Sequence, residues 1–296
     1  MRFLKSMLLA GATLLAATSV TAQDTPRVVA VNHALQHFAD RLLGGSADVV
    51  LPVPQDVDPS FWRPSIADIS AIQSSDLILL NGAGFATWVA RVSLPRSKIV
   101  NTSTGFEDSF IVTESITHSH GDGGEHAHEG LASYTWLDPT LAMAQADAIA
   151  AAITARGLAP KDEVAARLDE LRSDLTALDS DARTALVPLQ GVGIIATHPR
   201  YQYLARHYDL SIASLEWDAG ATPTDAQLAD LQALVDDTDA RILIWEAEPS
   251  AEAFEATSAL GLRNVVFPSL AHADGDRGFV EAYAAGVSDL SDAGIN

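Results

Sequence analysis

Cysteine is absent from all 296 residues of this chain, which excludes disulfides, thiolate metal ligands and a lipid anchor on a cysteine. Positive charge is scarce as well. Against 39 Asp and Glu there are 18 Lys and Arg, a formal net charge of −21. A chain this acidic is repelled by phosphate backbones and anionic lipid, so nucleic-acid and membrane-surface roles are excluded, and cations are its natural small partners. No stretch beyond the N-terminal leader has the unbroken apolar length of a membrane span, so direct membrane insertion is not expected.

The leader itself carries Arg2 and Lys5, an apolar run from Met7 to Val20, and Val20-Thr21-Ala22 before Gln23. That layout predicts a secretory signal peptide over 1–22 and a soluble, exported, monomeric mature protein, with a Gram-negative periplasm the compartment that fits best. With 48% hydrophobic residues, the remaining length supports one large or two modest globular domains.

One segment stands apart. Residues 117–130 hold His118, His120, His126 and His128, four of the nine histidines, as two His-x-His pairs among three carboxylates and several glycines. Such a stretch has no apolar periodicity and reads as a surface loop. Imidazole is the commonest protein ligand for Zn²⁺, so a His-rich tract in an exported chain points to metal collection, the alternative being an idle polar loop.

Around this loop, short β-branched runs alternate with amphipathic helical patterns, which predicts parallel strands joined by crossover helices. Strands are expected at Val28–Val31, Val49–Val53, Asp76–Leu80 and Lys98–Asn101, then at Val192–Ala196, Leu210–Leu215, Arg241–Trp245 and Asn264–Phe267. Ser65 with Asp68 has the spacing of a capping box, and Asp138-Pro139 of a helix start. Between the two sets, Val164, Leu168, Leu171, Leu175, Leu178, Ala182 and Leu186 recur every three or four residues and predict one long helix over about 160–186. By itself that helix reads equally as a stiff connector between two lobes or as a core helix. The fold class is α/β, with a cleft expected between two lobes.

In parallel sheets ligands collect beyond the carboxyl ends of the strands. His33, Asp58, His198, Glu216, Glu246 and His272 all follow a predicted strand there, each with a cap, an ion pair or a surface position as its plainer role. His198 is singled out by Thr197-His198-Pro199, which puts an imidazole at a strand-to-helix switch that the proline fixes. No His-Glu-x-x-His, nucleophile elbow or phosphate-cradling glycine loop is present, so no enzyme activity is expected. An organic ligand lined by Tyr134, Trp62 and Trp88 is a weaker alternative.

The run Thr197-His198-Pro199-Arg200-Tyr201-Gln202-Tyr203-Leu204, with Trp136-Leu137-Asp138-Pro139 after a His-rich loop and the long central helix, resembles the zinc/manganese solute-binding proteins of ABC transporters. The resemblance implies two α/β lobes, each a mainly parallel sheet flanked by helices, joined by one long rigid helix: lobes over 27–158 and 188–296, with the connector at 159–187. It implies an ion carried in the cleft and delivered to a membrane permease for uptake. The family's three histidines and one carboxylate are matched only at His198; the others fall on Asp58, on Tyr134 and within Phe267-Pro268-Ser269, where no acid stands. The expected ligands are therefore His198 with His126 and His128, or His118 and His120, from the loop, with Asp58 or His272 completing the shell. The imidazoles favour Zn²⁺ over Mn²⁺. The alternative function is a periplasmic zinc buffer or metallochaperone that binds only through the loop.

Overall fold

The computed structural model of the protein describes residues 25–113, 130–217 and 221–295. In the first half, strands β1 (Arg27–Ala30), β2 (Asp48–Val50), β3 (Leu77–Leu80) and β4 (Ile99–Asn101) form a parallel sheet in the order β2-β1-β3-β4. Helices α1 (His33–Leu43) and α2 (Ile66–Ser74) make its crossovers. A two-stranded antiparallel ribbon, β5 (Val112–Thr113) with β6 (Gly130–Leu131), flanks the segment 114–129. The loop histidines His118, His120, His126 and His128 and the predicted leader lie outside the described residues.

Helices α3 (Pro139–Arg156) and α4 (Lys161–Leu186) follow. The second parallel sheet takes the order β10-β9-β7-β8, from β7 (Gly193–Ala196), β8 (Ser211–Ser214), β9 (Ala240–Trp245) and β10 (Arg263–Val266). Helices α5 (Gln202–Tyr208), α6 (Asp225–Thr238) and α7 (Ala251–Ser258) connect those strands, and α8 (Phe279–Ile295) closes the chain. Each sheet is thus flanked by helices, and the molecule is a two-lobed α/β fold with a long helix between the sheets.

The local causes are visible in the sequence. α1 starts because the Asn32 side chain accepts from the Leu35 amide and stops at Gly44 in the left-handed region, and its Leu35, Phe38, Ala39 and Leu42 face is fully buried. The predicted capping box at Ser65 and Asp68 is formed. At 26 residues, α4 is about 39 Å long. Its Val164, Leu171, Leu175, Leu178, Ala182 and Leu186 are buried against α1, α3 and α8, so it is a packed member of the core as well as a link between the sheets.

Two local expectations change. Residues 84–92, which read as helical in the sequence, hold only a short 3₁₀ turn at Thr87–Arg91, because Gly82, Ala83 and Gly84 all take positive φ. No element was expected after Phe267, yet α8 is there and buries Phe279, Ala282, Tyr283, Val287 and Leu290. Its buried positions recur every three or four residues, a helical period present in the sequence but not read there. Gly286 is required at its position, since a Cβ there would meet the Phe267 ring at 2.5 Å. No helix of the described residues is long and apolar enough to cross a membrane.

Candidate metal-binding cleft

The strand order reverses between β1 and β3 in the first sheet and between β7 and β9 in the second, the places beyond whose carboxyl ends ligands collect in parallel sheets. On the first lobe the buried Asn81, just after β3, ties this region together. Its amide donates to the Ser133 carbonyl at 2.8 Å, and its oxygen accepts from Thr135 Oγ1 (3.2 Å) and Gln145 Nε2 (3.0 Å). The tight turn at Gly82 (φ 77°) follows it directly. This network fixes the segment that carries Tyr134 and Trp136, whose rings pack on each other at 4.9 Å and on Phe85 at 5.5 and 5.2 Å.

Contacts from the second lobe reach the same segment. Trp136 Nε1 donates to the Ser269 carbonyl (2.9 Å), Tyr203 Oη to Ala132 O (3.1 Å) and Tyr283 Oη to Leu137 O (2.8 Å). Beyond them opens a cleft of about 610 Å³ whose lining includes Asp58, Tyr134, Glu246, Glu248, His272 and Asp274.

Behind the lining residues Asp58, Tyr134 and Glu246, and not itself part of the lining, lies Arg200, whose side chain is 8% exposed. Its guanidinium is ion-paired to Asp58 from the first lobe and, through Nε at 3.2 Å, to Glu246 from the second. It lies 4.6 Å above the Tyr134 ring and 5.7 Å from that of Phe61. Asp58 uses its other oxygen on the Ser60 amide (2.7 Å) and hydroxyl (2.6 Å). Burial holds the Tyr134 phenol well above its usual pKa, so this ring is neutral. Burial opposes the Arg200 charge, but the carboxylates of Glu246 and Asp58 outweigh it and raise its pKa.

His198 is half-buried, and its Nδ1 lies 2.8 Å from the Trp217 carbonyl. A carbonyl only accepts, so Nδ1 carries the proton and the lone pair is left on Nε2. A backbone acceptor behind the ring in this way is how a metal-ligating imidazole is usually oriented. His198 is not among the residues lining the cleft that holds Asp58 and His272. His272 places Nε2 2.7 Å from the Val57 carbonyl, and its buried Nδ1 has no hydrogen-bond partner among the described residues. Among those residues, no group of three or more His, Cys, Asp or Glu side chains is arranged to hold a metal ion. The donor set of the described cleft therefore does not by itself fit a four-coordinate ion.

Of the expected ligands, Asp58 and His272 are brought to one cleft, while His198 stands apart from its lining. The importance of Arg200 was not legible beforehand. Its signal was a lone arginine inside the His-Pro-Arg-Tyr run, and its two carboxylate partners are 142 and 46 residues away. Trp62 and Trp88 pack edge-to-face at 5.8 Å in the first lobe and are buried, outside the lining of that cleft.

The family model of the periplasmic zinc-uptake complex component A, ZnuA, matches residues 28–293. The chain belongs to this family. Among individual proteins it is similar to the high-affinity zinc uptake system protein ZnuA of Bacillus subtilis (strain 168), 26% identical over 262 residues, 83% of this chain and 79% of that protein. The zinc-binding lipoprotein AdcA of Streptococcus pneumoniae serotype 4 is 26% identical over 213 residues, 69% of this chain but only 42% of AdcA. Solved structures share the fold. The Zn(II)-bound ZnuA-like domain of S. pneumoniae AdcA superposes with a TM-score of 0.76 at 17% identity, covering 92% of this chain and 100% of that one. The FpvC solute-binding protein of Pseudomonas aeruginosa in complex with Ni²⁺ gives 0.73 at 19%, covering 91% and 97%. Within the ZnuA family, then, this member places an arginine between cleft carboxylates of both lobes.

Proposed function

We propose that the chain captures Zn²⁺ in the periplasm and delivers it to an ABC permease for uptake. The match to the ZnuA family over 28–293 supports the class, and the observation that carries the residue-level reading is His198, with Nδ1 anchored on a carbonyl and Nε2 presented as a donor. On this reading His198 shares an ion with imidazoles of the segment 117–130, whose composition favours Zn²⁺ over Mn²⁺.

The test is elemental analysis of protein purified without chelator, followed by calorimetric zinc titration of the wild-type chain and of His198→Ala. One bound zinc, with affinity falling about tenfold or more in the variant, is the expected result. Unchanged affinity in His198→Ala sinks the shared site. Loss of radioactive zinc uptake on deleting the gene, in cells that carry the neighbouring permease, tests delivery.

A second reading is favoured by one specific observation: Asp58 and Glu246 are already satisfied by Arg200. In that reading the chain is a periplasmic buffer or metallochaperone that binds zinc only through its His-rich segment. Deleting residues 118–128 would then abolish all binding, whereas the uptake reading expects a weaker site to remain.

A further inference from the structure

The contacts around Arg200 form a motif that metal-binding chemistry does not require. Its guanidinium is nine-tenths buried, bridges a carboxylate from each lobe and stacks on the Tyr134 ring. Both Asp58 oxygens are engaged, one by Arg200 and the other by Ser60. Tyr134 is a neutral phenol and a poor ligand. We propose that Arg200 is a specificity-determining residue: a tethered cation that occupies the carboxylate pair Asp58 and Glu246 and so bars hard divalent cations such as Mn²⁺ from that pair.

Arg200 and a dication compete for the same two carboxylates. A dication seated on the same two carboxylates would stand at contact range from a buried unit positive charge, where the low dielectric strengthens repulsion. It would also have to break both ion pairs, leaving a buried guanidinium without partners. Arginine does not relieve that conflict by losing its proton. Mn²⁺ depends on oxygen donors, and Arg200 holds the two carboxylates that face each other from opposite lobes; Zn²⁺ is served by imidazoles, which a guanidinium does not engage. The same bridge joins the lobes with no ion present, because the cation between them is covalently part of the chain.

This inference deepens the zinc-uptake reading and rests on it only for the choice of ions compared. Its test uses the full chain and Mn²⁺ alone as probe, followed by the loss of the free-ion electron paramagnetic resonance signal. Arg200→Met removes the charge while keeping a long side chain on Tyr134, and Arg200→Lys keeps the charge. The expected result is that Arg200→Met gains a Mn²⁺ site at least about tenfold tighter than any in the wild-type chain, and that Arg200→Lys does not. Asp58→Asn added to Arg200→Met should remove the gained site. Should Arg200→Met fail to fold by circular dichroism, Arg200→Gln, whose amide still donates to one carboxylate, carries the same readout. A folded neutral variant with no gain in Mn²⁺ binding overturns the proposal, and so does an equal gain in Arg200→Lys. A wild-type chain that binds no zinc would instead refute the uptake reading and leave this result standing.

Discussion

At the scale of single residues, the histidines divide into two kinds with opposite consequences for pH. Burial, with the neighbouring His33 and Arg41 adding to it, lowers the His37 pKa from 6.5 to about 4, and burial lowers that of His33 in the same direction. Between pH 6.5 and 4 the unfolded chain therefore binds more protons than the folded one, and stability falls as the pH falls through that window. His37 alone contributes at most about 3 kcal/mol to this loss. His207 behaves in the other sense. Burial opposes its charge, but hydrogen bonds to Asp138 and to Asp179 (Nε2 at 2.7 Å) outweigh it and raise its pKa. Its contribution is fully present below pH 6.5 and is lost as the pH rises through the folded value. Urea denaturation between pH 4 and 7 should show the acid loss, and His37→Phe should flatten it; an unchanged slope in that variant assigns the loss elsewhere. These histidines were plain letters in the sequence, since nothing local distinguishes a neutral buried imidazole from a paired one.

At the scale of elements, local signals were legible wherever a local bond defines them. The capping box at Ser65 and the Asp138-Pro139 helix start are each made within four residues and are present as expected. Asp138 caps α3 by accepting from the Thr140 amide at 2.9 Å, and its pKa is low because hydrogen bonds from His207 and Thr140 outweigh burial. Helix α8 was legible in the same way as α4, since Phe279, Ala282, Tyr283, Val287 and Leu290 recur every three or four residues; what the tertiary structure adds is its packing on Phe267 and α4. The element that most needs its surroundings is the segment carrying Tyr134 and Trp136. Asn81 holds it through bonds to Ser133, Thr135 and Gln145, and Asn81→Ala removes all three, leaving the buried Thr135 hydroxyl without its acceptor while Gln145 keeps its bond to Thr102. The expected cost is roughly 3 kcal/mol in chemical denaturation, with the near-ultraviolet signal of Trp136 altered. A cost below about 1 kcal/mol would show that water replaces the side chain.

At the scale of the whole molecule, the lobes are joined by α4, by the Trp136, Tyr203 and Tyr283 hydrogen bonds, and by the Arg200 bridge. None of these ties needs an ion. Small-angle scattering should therefore give radii of gyration for chelator-treated and zinc-loaded protein that agree within about 1 Å. A larger compaction on loading would mean that the ion, rather than the arginine, closes the cleft. The acidic surface behind the net charge of −21 acts at this scale too, raising the local concentration of cations without selecting among them.

The sequence by itself determined the fold class, the alternation of strand and helix, the long helix, and the resemblance that implied a metal-uptake family. Each rests on hydrophobic period, turn residues or short motifs, which are properties of neighbours along the chain. Only the tertiary structure decided how the charges beside the cleft are paired. Asp58, Arg200 and Glu246 come from three separate strand ends, and a charge recorded in the sequence has no partner until folding brings one within reach and removes the water between them.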